Sequence, residues 1–391
     1  MWLVEWIFWG SLVFIVYAYA GYLFALLVLS CFRNRPVLVG DIQPRVSFVI
    51  TAYNEEARIK EKIENSLHQQ YPPERLEIVV ASDCSSDRTD DIVRSYAALG
   101  VRLVRAQERR GKEAAQKLAV SQTNGEILVF SDVATTLPPQ GIANIVKSFS
   151  DPTVGCVSSV DQFVDAQGNL SGEGAYVKYE MLLRHLETKV NTLVGLSGSF
   201  FAARRTVCSP WADDLQSDFN TLLNSMKAGL RGVSDPASVG YYKNLTDEKK
   251  EYQRKVRTVL RGIAVLMRSL PMLNPLRYGI FAWQLFSHKL CRWLVPFARI
   301  GTLGSNIVLA ISSGPYRVLL LGQILFYAIA AAYAGCSWMP RSNVFRLPSF
   351  FVLVNLSIID AWMRYFRGDR VFRWEPSKRE ARVGRWIGTV A

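Results

Sequence analysis

The sequence predicts a Rossmann-like α/β domain with a mainly parallel sheet, joined to α-helical transmembrane segments. Three observations predict it. Apolar runs long enough to cross a bilayer stand near both ends of the 391-residue chain. Between them, short β-branched runs alternate with amphipathic helical stretches. The charge is also divided. Residues 1–251 carry 26 Lys/Arg against 29 Asp/Glu, and residues 252–391 carry 20 against 4. From Tyr252 to Ile359 there is no carboxylate at all. The net +13 therefore lies beside apolar runs, which is the pattern of membrane ends rather than of a nucleic-acid surface. A composition of 50% hydrophobic and 20% charged residues excludes a disordered chain and a small disulfide scaffold.

The first element, within residues 1–36, is a transmembrane helix. Trp2–Phe32 holds one charge, Glu5, and Arg33 and Arg35 follow it. Trp2, Trp6 and Trp9 suit one interface and the arginines the cytosolic one, so the N-terminus is expected outside. A signal peptide would want a basic start and a shorter apolar core. Residues 38–251 then form the α/β domain, expected in the cytosol. Its strands are expected at Val46–Tyr53, Glu77–Ser82, Val101–Ala106 and Glu126–Asp132. Its helices are expected at Glu55–Gln70, Thr89–Leu99, Lys112–Ser121 and Tyr176–Val190. Ligands of such sheets bind at the carboxyl ends of the strands, and there Asn54, Glu55, Asp83 and Asp132 collect. Capping is the competing role for Asn54 and for Asp87 ahead of Thr89. Neither G-x-G-x-x-G nor G-x-x-x-x-G-K-[ST] is present. Glu180, Arg184 and Glu187 share a helix face and read as a solvated ion-pair ladder.

Residues 252–292 are expected as amphipathic interfacial helices. Trp293–Ser313, Val318–Met339 and Leu347–Phe366 follow as candidate spans. The first contains Pro296 and Arg299 and either crosses or lies flat, so residues 293–366 supply two or three spans. Residues 367–391 form a basic tail, inside with two spans and outside with three. The six cysteines form no C-x-x-C pair and are expected as packing residues. His185 and His288 lack metal-ligand spacing, so zinc is not expected.

Five segments recur together in order: Val-Ile-Thr-Ala-Tyr-Asn-Glu-Glu (49–56), Ala-Ser-Asp-Cys-Ser-Ser-Asp-Arg-Thr (81–89), Gly111-Lys112, Phe-Ser-Asp-Val-Ala-Thr (130–135), and Gly198 with Phe200-Phe201-Ala202 ahead of Ser217-Asp218-Phe219. In this order they resemble a family 2 glycosyltransferase of GT-A fold. Ser287-His288-Lys289 to Arg292-Trp293-Leu294 resembles the membrane-bound group with cellulose, hyaluronan and poly-N-acetylglucosamine synthases. The resemblance implies a nucleotide-sugar site of Ala52, Tyr53, Glu55, Asp83, Lys112 and Asp132, with Asp83 reading the uridine. It implies Mg²⁺ or Mn²⁺ on Asp132, Asp218 as the base of an inverting displacement, and Gly198 and Phe200 on the acceptor side. Three departures stand out. Ala134 replaces the second carboxylate of Asp-x-Asp, and Lys117 stands where an Asn is common. Gln253-Arg254-Lys255-Val256-Arg257 replaces Gln-x-x-Arg-Trp, leaving Arg254 and Arg257 to meet the pyrophosphate or to face lipid headgroups. Asp218 also has an alternative, a helix cap.

The expected activity is an inverting transfer from a nucleotide sugar, UDP-linked, to a glycan or lipid-linked acceptor at a bacterial-type inner or plasma membrane. Short transfer is favoured over long-chain polymerisation. The expected partners are the donor, the acceptor, the bilayer and subunits of a polysaccharide assembly complex, with no nucleic acid. The alternative is a weak or inactive relative that binds nucleotide or glycan in an export complex.

Overall fold

The computed structural model describes residues 1–164, 175–243, 248–336, 339–340 and 342–369. Most of the basic tail expected at 367–391 lies outside the described residues. The chain opens with helices α1 (Trp2–Val16) and α2 (Tyr22–Phe32), joined by a π-helical turn at Tyr17–Gly21. Then follow β1 (Val46–Ala52), α3 (Ile59–Leu67), β2 (Leu76–Ser82), α4 (Thr89–Ser95), β3 (Val101–Arg105), α5 (Lys112–Ser121) and β4 (Ile127–Asp132). Next are α6 (Gly141–Lys147), β5 (Val154–Val164), α7 (Ala175–Val190), β6 (Phe200–Arg204), α8 (Ser217–Lys227) and β7 (Arg231–Lys243). Helices α9 (Glu248–Arg268), α10 (Pro275–Tyr278), α11 (Ile280–Leu285), α12 (Arg292–Ser312), α13 (Gly314–Gly335) and α14 (Asn343–Phe366) complete the order. Two compact units result. One joins Met1–Val28 to the helices from α9 onward, and the other runs from Leu29 through β7.

The second unit is built on a seven-stranded sheet of order β3-β2-β1-β4-β6-β5-β7. The first four strands are parallel, with Val46 opposite both Leu76 and Ile127. Every residue of β1 is buried. A parallel sheet covered on both faces needs such a continuous apolar strand. Val46, Phe48 and Ile50 pack with Ile59 and Ile63 of α3 and with Ile142, Ile145 and Val146 of α6. Val49 packs on the other side with Leu128, Phe130, Ala115 and Ala119. Burying each large apolar side chain contributes about 1.5–3 kcal/mol.

The remaining strands turn the sheet into a mixed one. β6 runs antiparallel to β4 and to β5, and β7 runs parallel to β5. Since Ser131 pairs with Phe200, β6 begins where β4 ends. That register brings residues 197–199 beside Asp132. The face of α7 is not the solvated ladder expected. Glu187 is fully buried, and Arg184 Nη1 donates to Ser158 Oγ at 3.0 Å. The sheet takes up that helix face, so its charges turn inward.

Among the described residues, four helices are long and apolar enough to cross a membrane: Trp2–Phe32, which begins in the other unit, and Ile280–Ser312, Gly314–Gly335 and Val344–Phe366, which lie within it. The candidate at Trp293–Ser313 is the later part of a continuous helix from Ile280, so part of the stretch read as interfacial belongs to it. Pro296 does not break it. Several polar side chains of these helices are hydrogen-bonded within the unit, as a low-dielectric setting favours. Trp283 Nε1 donates to Tyr17 Oη at 2.9 Å, and Tyr17 Oη lies 2.7 Å from Ser287 Oγ. Trp362 Nε1 donates to the carbonyl of Trp293 at 3.0 Å.

Candidate active site

The site grows from the carboxyl ends of β1, β2 and β4. After Ala52, Asn54 takes a left-handed backbone, φ +50. Its Oδ1 accepts from the amide of Ser86 at 2.8 Å, so it ties two loops together instead of capping α3. Asp87 lies one residue ahead of the N-cap Arg88 and accepts from the amide of Thr89, the first residue of α4, at 3.0 Å. The amide of Glu55 donates to Thr89 Oγ1 at 2.7 Å, and its buried carboxylate takes a forked pair of bonds from Arg58 at 2.8 and 2.7 Å. Burial pushes the Glu55 carboxyl up, against the pull of Arg58.

Asp83 is fully buried at the end of β2. Its oxygens accept from the amides of Gly111 (3.0 and 2.9 Å) and Arg110 (3.0 Å). Gly111 has φ +104, a conformation that favours glycine. Burial raises the Asp83 carboxyl above its usual range despite these bonds. Beside it, the Arg109 guanidinium stacks on Tyr53 at 3.8 Å from the ring centroid.

Lys112 opens α5. Its Nζ pairs with Asp132 Oδ1 and donates to the carbonyl of Gly198 at 2.9 Å. The amide of Asp132 donates to the carbonyl of Ser199 at 3.0 Å. On the other flank of Gly198 lies Asp218. A Cβ placed on Gly198 would come 2.5 Å from Asp218 Oδ2. Glycine is therefore what lets that carboxylate approach. Asp218 is not the helix cap. It lies in the first turn of α8, behind Gln216, where a negative charge is favoured. Its Oδ1 accepts from the amide of Phe219 at 2.7 Å and its Oδ2 from Gln216 Nε2 at 3.1 Å. Gly198 thus has the Lys112–Asp132 pair on one side and Asp218 on the other.

Phe200 is a correction. Its ring is 0% exposed and packs in the core with Val157 and Ala202, so it has no face to offer an acceptor. Lys117 forms a salt bridge with Asp213 at 3.2 Å, and Arg110 reaches the same carboxylate at 3.4 Å. Burial alone would raise Asp213, but its own amide, Lys117 and Arg110 hold it below the usual range. Arg254 and Arg257 lie on α9, in the apolar unit, where Arg254 pairs with Glu251 at 2.8 Å.

Sequence reasoning missed Lys62. It projects from the apolar face of α3, between Ile59 and Ile63, and is buried. Its Nζ donates to Ser131 Oγ at 2.8 Å and to the carbonyl of Thr135 at 2.6 Å, bracketing the turn that carries Asp132. Burial lowers its pKa from 10.5 to about 7, with Asp132 pulling the other way. The available signal was a lysine at an apolar-face spacing.

Among the described residues, no three His, Cys, Asp or Glu side chains converge as a metal site. Asp132 offers a single carboxylate. Mg²⁺ commonly takes one or two carboxylates and completes its shell with substrate phosphates and water. The residues fit such a cation when a diphosphate supplies the remaining ligands.

Residues 47–209 match the family model described as Glycosyl transferase family 2. The match spans less than half of the chain and coincides with the parallel strands and the site at their ends. The chain is similar to "Probable glycosyltransferase YdaM" of Bacillus subtilis, at 23% identity over 295 residues, 72% of this chain and 70% of that protein. It is also similar to the beta-monoglucosyldiacylglycerol synthase of Trichormus variabilis, at 27% identity over 330 residues, covering 80% of this chain and 68% of that one. The poly-beta-1,6-N-acetyl-D-glucosamine synthase of Staphylococcus aureus is 24% identical over 208 residues, 51% of this chain and 49% of the relative. Among solved structures, the mannosyltransferase PcManGT from Pyrobaculum calidifontis, in complex with GDP-Man and Mn²⁺, superposes with a TM-score of 0.75. That likeness covers 94% of this chain and 100% of the other at 23% identity, and it establishes the GT-A fold.

Proposed function

With the match to family 2 glycosyltransferases as the premise, we propose that the chain is a membrane-embedded inverting glycosyltransferase. It moves a sugar from a UDP-linked donor to a lipid-linked or glycan acceptor, in glycolipid or polysaccharide synthesis. The carrying observation is the junction at Gly198, which has the donor-side pair Lys112–Asp132 on one flank and the carboxylate of Asp218 on the other. Charge stabilisation on the leaving diphosphate and a base for the attacking hydroxyl thereby flank one backbone position.

Asp83 and Tyr53 would take the base, with Ala52 and Glu55 lining the strand end. Asp132 and the donor's phosphates would hold Mg²⁺ or Mn²⁺, which when bound neutralises the departing diphosphate. Lys112 turns from Asp132 toward a phosphate oxygen. Asp218 takes the proton of the acceptor hydroxyl as it attacks the anomeric carbon from the face opposite the leaving group, so the configuration inverts. Four apolar helices among the described residues and a relative named as a beta-monoglucosyldiacylglycerol synthase support a lipid acceptor. Arg33 and Arg35 support a cytosolic catalytic unit.

The test is full-length protein in detergent or vesicles, given a panel of labelled nucleotide sugars with Mg²⁺ or Mn²⁺. Transfer from a UDP-sugar to lipid or glycan with inverted configuration is expected, and retention of configuration would reject the mechanism. A second reading, a subunit that binds nucleotide or glycan without turnover, is favoured by Ala134 and by the closure of Lys112 on Asp132. It predicts saturable UDP binding with no product from any donor.

A further inference from the structure

The backbone ladder between β5 and β6 covers few residues, with Ser158 opposite Phe201 at its end. Beyond it, side chains take over. Ser158 Oγ accepts from the amide of Ser197 at 2.8 Å, and Ser159 Oγ donates to the carbonyl of Phe200 at 2.6 Å. Asp161 completes the series. Ser197 Oγ lies 2.6 Å from each of its carboxylate oxygens, and Ser199 Oγ donates to Oδ1 at 2.6 Å. A register shift between Ser158 and Val160 precedes it. Such a bulge re-aims the side chains that follow. Across the sheet Asp161 pairs with Gly240, where a Cβ would come 3.0 Å from Thr135 Cγ2.

We propose that Asp161 is a positioning residue for the transfer reaction: it fixes Ser197–Gly198–Ser199, the segment whose backbone holds Lys112, Asp132 and Asp218 in register. The proposal rests on the transferase reading above. Each link is a contact already described. The Gly198 carbonyl receives Lys112, the Ser199 carbonyl receives the amide of Asp132, and the Gly198 Cα abuts Asp218 Oδ2. Asp161 grips the hydroxyl on either side of that glycine. An ionised carboxylate is acceptor-only, so it can take both hydroxyls at once in charge-assisted bonds, which a neutral hydroxyl does less well. Loss of the grip frees the segment to shift, and a displacement of about 1 Å at reacting groups costs on the order of 100-fold in rate.

The test compares wild type, Asp161→Ala, Asp161→Asn, the double variant Ser197→Ala/Ser199→Ala and the triple variant that adds Asp161→Ala to it, all in the full chain. UDP affinity is read by calorimetry, and kcat and donor KM by product formation. Asp161→Ala is expected to lower kcat about 10- to 100-fold, with UDP affinity and donor KM within about threefold of wild type. Asp161→Asn, which keeps Oδ1 as an acceptor, is expected to recover part of the rate. The triple variant is expected to fall no further than Asp161→Ala, because both changes remove the same contacts. Wild-type turnover with unchanged kcat in Asp161→Ala, or additive losses in the triple variant, would overturn the proposal and leave the transferase reading standing. Parallel losses of kcat and UDP affinity would mark a general structural role and overturn it as well. Absence of wild-type turnover with every donor would reject the transferase reading and this proposal with it.

Discussion

Lys62 offers a quantitative handle on the turn that carries Asp132. Replacing it with methionine keeps the chain's bulk on the α3 face and removes the buried ammonium. The fall of its pKa from 10.5 to about 7 corresponds to about 4–5 kcal/mol of penalty on the charged form. Its folded value lies below its unfolded value. Between about pH 7 and 10.5 the unfolded chain therefore binds more protons, and stability climbs as pH rises through that window. From pH 7 to 9 this group should contribute about 2 kcal/mol of added stability in the wild type and none in Lys62→Met. For a unit of about 200 residues, that is about 4–8 °C of melting midpoint. The readout is thermal exposure of Cys156 and Cys208, free thiols buried inside this unit, by mass-resolved labelling of the full chain. Every other titrating group is shared, so the difference between the two pH profiles isolates Lys62. Parallel profiles would refute a buried, titrating Lys62.

Gly198→Ala should clash with Asp218 Oδ2, which its bonds to Phe219 and Gln216 restrain; kcat is expected to drop about 100-fold, with UDP affinity nearly kept, in steady-state and calorimetric assays. Asp83→Asn should leave an amide N–H of residue 110 or 111 facing another donor, at a cost of about 1–3 kcal/mol; a UDP Kd about 10-fold or more weaker, measured by calorimetry, is the expected outcome.

The parallel half of the sheet was legible because β1, β2 and β4 are buried on both faces and so read as uninterrupted apolar runs. The other half was not. β5 carries Ser158, Ser159 and Asp161, whose hydrogen bonds run to residues far along the chain. β7 contains Pro236, tolerated because β7 is the edge strand. Helix α3 starts at Ile59, not Glu55, because Glu55 is held by Arg58 and Thr89 across the loop. Strand-end carboxylates were readable from topology alone, as Asp83 and Asp132 illustrate. Gly198 was found by resemblance, and only the fold supplies its reason, the approach of Asp218. Lys62 escaped notice because its partners Ser131 and Thr135 lie about 70 residues away and nothing local marks a lysine as buried. Phe200 shows the converse: the motif places the residue, and the pleat turns its ring into the core.

The central claim is that Asp218 is the base of an inverting sugar transfer. The direct measurement is turnover of a UDP-sugar by Asp218→Asn beside wild type, with UDP binding followed in the same preparations. The account predicts a wild-type product of inverted configuration, a loss of kcat of at least about 100-fold in the variant, and UDP affinity retained. Wild-type-level turnover in Asp218→Asn would contradict it.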